Sequence, residues 1–159
     1  MSVWGALAGG VVGTIVLTSA LRLAQELHLT RMDIPLLLGT VFSDHRGRAS
    51  VIGYVLHFAN GIVFALAYYG VFRAVGHAGW GFGALLGLVH ACLAGLLLTV
   101  LLPAAHPRMG TLWSDAEETP LLEAPGFLLL NYGRRTVIWT LLAHVAYGAI
   151  VGGFTVGLS

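Results

Sequence analysis

Residues 80–102 read WGFGALLGLVHACLAGLLLTVLL, a stretch with no Asp, Glu, Lys or Arg. A helix of about 20 apolar residues crosses the hydrocarbon core of a bilayer, and a charged side chain at its centre costs several kcal/mol. The stretch therefore reads as a membrane span. Working outward, windows 3–21, 51–72 and 136–156 are equally free of charge. Extended to their helix ends, the four predicted spans run about 3–24, 50–72, 79–102 and 136–157. Composition agrees: the 159 residues are 57% hydrophobic and only 9% charged, with mean hydropathy +0.86, whereas soluble domains carry about a quarter charged residues. The expected fold is all-α, an integral membrane four-helix bundle forming one transmembrane domain over residues 1–159. The first window is too long for a signal-peptide core and lacks a basic leader, so it is read as retained structure.

Four spans put both termini on one side together with the short second connection. The first and third connections lie on the other, side B. Seven of the eight basic residues (Arg22, Arg31, Arg46, Arg48, Arg108, Arg134 and Arg135) fall on side B, against Arg73 alone opposite. Cytoplasmic loops carry the excess of Arg and Lys, so side B is expected to be cytoplasmic, with both termini outside. Trp4, Trp80 and Trp113 near span ends read as interfacial anchors, and the lone Cys92 as a small core residue. A net charge of +1 gives no case for nucleic acid as a partner. The expected partners are the lipid bilayer and either further membrane subunits or a second copy of the chain.

The sequence also repeats itself. Gly5-Ala6-Leu7-x-Gly9 recurs as Gly83-Ala84-Leu85-x-Gly87, and the same offset carries His28 onto His106. Asp33-Ile34-Pro35 resembles Glu123-Ala124-Pro125, and Gly47-Arg48-x-Ser50-Val51-Ile52 resembles Gly133-Arg134-x-Thr136-Val137-Ile138. A larger offset, supplied mostly by an insertion at 110–119, carries His57-x-Ala59-x-Gly61 onto His144-x-Ala146-x-Gly148. Matches in one order predict a duplicated hairpin, repeat 1 over about 1–72 and repeat 2 over about 79–159. Two-span units share an orientation, so the copies would be parallel repeats about an axis along the membrane normal. Glycines four apart in the first and third spans would let their backbones approach closely.

The duplication would gather His28, Asp33 and His57 with His106, Glu123 and His144 in the cytoplasmic half. Imidazole and carboxylate groups suit a transition-metal centre, with iron, copper and zinc all compatible, and helix bundles build such sites from inward-facing side chains. The leading expectation is a metal-binding, redox-capable membrane protein. A b-type haem held axially by His57 and His144 is an alternative, with Gly53, Gly61 and Gly148 making room for the macrocycle. A proton relay through the histidines is another, and so is a non-catalytic accessory subunit of a larger membrane complex. His90 breaks the repeat and is expected to make a core hydrogen bond. No soluble-enzyme motif is present: Gly79-Trp80-Gly81-Phe82-Gly83 lacks the strand and lysine of a phosphate loop.

Thr30-Arg31-Met32-Asp33-Ile34-Pro35-Leu36-Leu37-Leu38-Gly39, followed by His57-x-x-Asn60-Gly61, resembles an uncharacterised bacterial family of four-helix integral membrane proteins with a Met-Asp-Ile-Pro loop. The likeness covers most of the first hairpin and, more loosely, the third span. It implies a bacterial inner-membrane setting and carries no chemistry with it.

Overall fold

The computed structural model describes residues 1–109 and 122–157. The 110–119 insertion and Trp113 lie outside the described residues. Four helices are long and apolar enough to cross a membrane: α1 (Val3–Glu26), α3 (Arg46–Val75), α4 (Trp80–Ala105) and α5 (Arg134–Gly157). A short helix, α2 (Ile34–Gly39), and a tight 3-10 segment (Phe127–Tyr132) lie in the side-B connections. The described residues contain no strand.

The ends follow local chemistry. Ser2 caps α1 by accepting from the Gly5 N–H at 3.2 Å. The α1 C-terminus closes in a Schellman motif, with His28 N–H donating to Gln25 and Leu29 N–H to Ala24. That motif needs a left-handed residue, and His28 supplies it at φ 56. Asp33 caps α2 by accepting from Leu36 N–H at 3.0 Å, and Pro35 stands in the first turn, where no N–H is missed. Leu128 and Leu129 are also left-handed. Such leucines cost about 1–2 kcal/mol each, here offset by Thr99, whose hydroxyl donates to Gly126 O and accepts from Leu128 N–H.

Packing follows the small residues. A Cβ on Gly5 would strike the Phe154 carbonyl, and one on Gly9 would meet Val151 Cα at 2.9 Å, so α1 lies against α5. A Cβ on Gly83 would strike Gly148 O, one on Gly148 would strike Gly83 O, and one on Gly87 would strike His144 O. Thus α4 lies equally close on the other flank of α5. Thr14 fills the space over Gly61 and joins α1 to α3, while α2 meets α3 through Gly39 against Ala49 and Gly53 against Pro35. The long helices form an arc in the order α3, α1, α5, α4. Its two ends, α3 and α4, stand apart.

The two hairpins are therefore not packed as equivalents. A two-fold axis would exchange the α1–α5 contact with one between α4 and α3, yet the first is a glycine seam and the second an opening. Cys92, expected in the core, is exposed, because α4 packs through the face carrying Gly83, Gly87 and Ala91 and Cys92 falls just past that face.

Candidate functional site

The opening between α3 and α4 encloses a cavity of about 270 Å³. Its side-B end is lined by leucines, including Leu98, Leu102 and Leu129, and floored by Ile34 and Leu37 from α2. Its inner end is polar, with His57, His90, Thr140, His144 and Tyr147. Among the described residues that line it there is no Asp, Glu, Lys or Arg.

Depth explains why these groups meet. His57 stands eleven residues into α3 and His144 ten residues into α5, about 16 and 15 Å from the side-B ends at ~1.5 Å per residue. The structure starts α3 at Arg46, earlier than the span boundary at 50, which sets His57 deeper than the sequence implied. From the opposite direction, Gly87 packs on the His144 backbone, and His90 follows one turn later. The His90 and His144 rings meet edge to face, 4.9 Å between centroids, and His57 lies within electrostatic range of His144.

Hydrogen bonds assign the polar groups. His144 Nδ1 lies 2.8 Å from Thr140 O. A carbonyl only accepts, so Nδ1 carries the proton and Nε2 presents a lone pair. Tyr68 and His90 share a hydrogen bond of 3.2 Å, as expected for His90, and Phe64 lies over the His90 ring at 3.9 Å. The Tyr147 hydroxyl donates to Gly61 O, tying α5 to α3. His57 Nε2 and Thr140 Oγ1 are buried and have no hydrogen-bond partner among the described residues. An unpaired buried polar group costs about 1–3 kcal/mol, so both atoms stand out.

The other sequence-derived candidates are engaged elsewhere. His28 is exposed at the end of α1. His106 is 5% exposed: its Nδ1 accepts from Arg108 N–H at 3.1 Å, and Nε2 lies 3.0 Å from Leu37 O, to which it donates. It thus joins the end of α4 to α2. Asp33 caps α2 and lies 3.8 Å from Arg22, and Glu123 pairs with Arg31 at 3.1 Å. Near that pair, burial pushes the Tyr132 phenol up to about 12, with Glu123 adding to the shift and Arg31 opposing it. The protonated hydroxyl donates to Glu123 O at 2.8 Å.

Of the six proposed ligands, the fold brings together His57 and His144, and it adds His90. Among the described residues, no group of three or more His, Cys, Asp or Glu is arranged to hold a metal ion. The room expected over Gly53, Gly61 and Gly148 is taken by Pro35, Thr14 and Gly83. A signal for His90 was present in the sequence: it stands three residues after Gly87 and seven after Gly83, at the edge of the ridge that packs on α5. Comparison with protein-family models, curated proteins and solved structures finds no match for this chain.

Proposed function

We propose that the chain is a membrane-spanning four-helix bundle, both termini on the non-cytoplasmic face, that binds a membrane-borne amphipathic molecule between α3 and α4. One observation carries the reading: a largely apolar cavity holds two buried polar atoms, His57 Nε2 and Thr140 Oγ1, that have no partner among the described residues. Ligand sites are concave, mostly apolar and fitted with a few convergent polar groups. Access from the lipid phase is supported by the separation of α3 from α4 and by exposed Asn60, Leu97 and Leu101 along the opening.

A transition ion held by His57 and His144 is the second reading, favoured by the unpartnered His57 Nε2 and the His144 Nε2 lone pair on one cavity. Protein purified in mild detergent separates the two. Solvent extraction with mass spectrometry should recover a stoichiometric organic molecule, and Ala94→Phe, which fills the cavity, should eliminate it while the protein stays folded. Stoichiometric metal by elemental analysis without an extractable molecule would replace the first reading with the second.

A further inference from the structure

We infer that the polar end of this cavity receives the uncharged, planar, carbonyl-bearing ring of an alkyl quinone, whose tail lies along the leucines toward side B. This rests on the ligand-binding reading above.

Charge narrows the head group first. With no Asp, Glu, Lys or Arg among the described lining residues, a carboxylate, phosphate or ammonium would be buried there without a fixed counter-charge, which is strongly unfavourable. The head is therefore neutral and satisfied by hydrogen bonds.

Thr140 then identifies one of those bonds. Four other described helix threonines, Thr14, Thr18, Thr136 and Thr155, each donate to the carbonyl four residues earlier. Thr140 does not, and its hydroxyl, in a residue 6% exposed, remains a donor facing the cavity. His57 Nε2 is equally unpartnered and becomes a second donor when it carries the imidazole proton. A carbonyl oxygen, with two lone pairs and no proton, can accept from either donor. The lone pair on His144 Nε2 would accept from the hydroxyl of the reduced ring.

Ring shape follows from the walls. Phe64, His90 and Tyr147 present aromatic surfaces to the cavity and meet one another around His90, and flat rings pack on such surfaces in stacked or edge-to-face arrangements. Past the polar groups, the lining toward the α2 floor is dominated by aliphatic side chains such as Leu98, Leu102 and Leu129, which suits an alkyl tail.

The test compares a decyl-substituted benzoquinone with decylbenzene, which has the same tail on a ring without oxygens, by equilibrium binding to full-length protein in detergent. The quinone should bind one per chain at least about tenfold more tightly, the value of one good hydrogen bond. Thr140→Val and His57→Leu should each weaken the quinone by about tenfold and leave decylbenzene unchanged. Equal affinity of the two compounds for the unmodified protein, a comparison that needs no variant, overturns the quinone assignment while leaving an apolar ligand site. Binding of neither overturns both readings.

Discussion

The seam between α4 and α5 and the gap between α4 and α3 are built from neighbouring parts of one helix. Toward α5, α4 offers Gly83 and Gly87, and the approach is close enough that a Cβ on either would strike a carbonyl. Toward α3 it offers His90 and a run of leucines, and the contacts include ring-on-ring crossings of His90 with Phe64 and Tyr68 and of Phe82 with Phe72, together with the Tyr68–His90 hydrogen bond. In lipid, apolar side chains gain little by leaving one hydrocarbon surface for another, so close backbone approach through small residues decides which helices adhere. Where that approach is absent, the space stays available.

The largest expected effect comes from breaking the seam. Gly148→Val places side-chain atoms against Gly83 and should cost about 3 kcal/mol or more in detergent unfolding, whereas Gly81→Ala, with nothing within 4 Å, should be nearly silent. If both behave alike, the seam does not hold the molecule together. His106→Ala strips Leu37 O and Arg108 N–H of their partner and should cost about 2 kcal/mol, with faster hydrogen exchange in α2, the cavity floor. On the gap side the sign reverses. Thr140→Val removes an unpaired hydroxyl and should leave ligand-free stability unchanged or raise it by up to about 1 kcal/mol. A loss there would mean that the hydroxyl is satisfied within the protein. His28→Gly, away from both regions, relieves a left-handed histidine and should stabilise by about 0.5–1 kcal/mol; a decrease in unfolding midpoint would point to a role beyond the Schellman turn.

Much of this was legible in the residues. Charge-free windows located all four long helices, because length and apolarity are properties of the chain itself. The glycine ridges were visible as packing surfaces, and His57 and His144 as inward-facing residues. What could not be read was which helix each ridge would meet. Gly5-x-x-x-Gly9 and Gly83-x-x-x-Gly87 look like copies, yet both pack on α5 from opposite flanks. His28 and His106 look equally like copies. One is a solvent-exposed αL turn residue and the other a buried hydrogen-bond bridge, because their surroundings come from non-equivalent segments.

The sequence by itself determined an all-helical chain with four helices suited to a bilayer, since hydropathy and the absence of charge act locally and need no partner. Only the tertiary structure decided that α3 and α4 part, that His90 joins His57 and His144, and that Thr140 is left without a partner. Those outcomes depend on the registers of several helices together, and register is fixed by steric fit between surfaces distant in sequence.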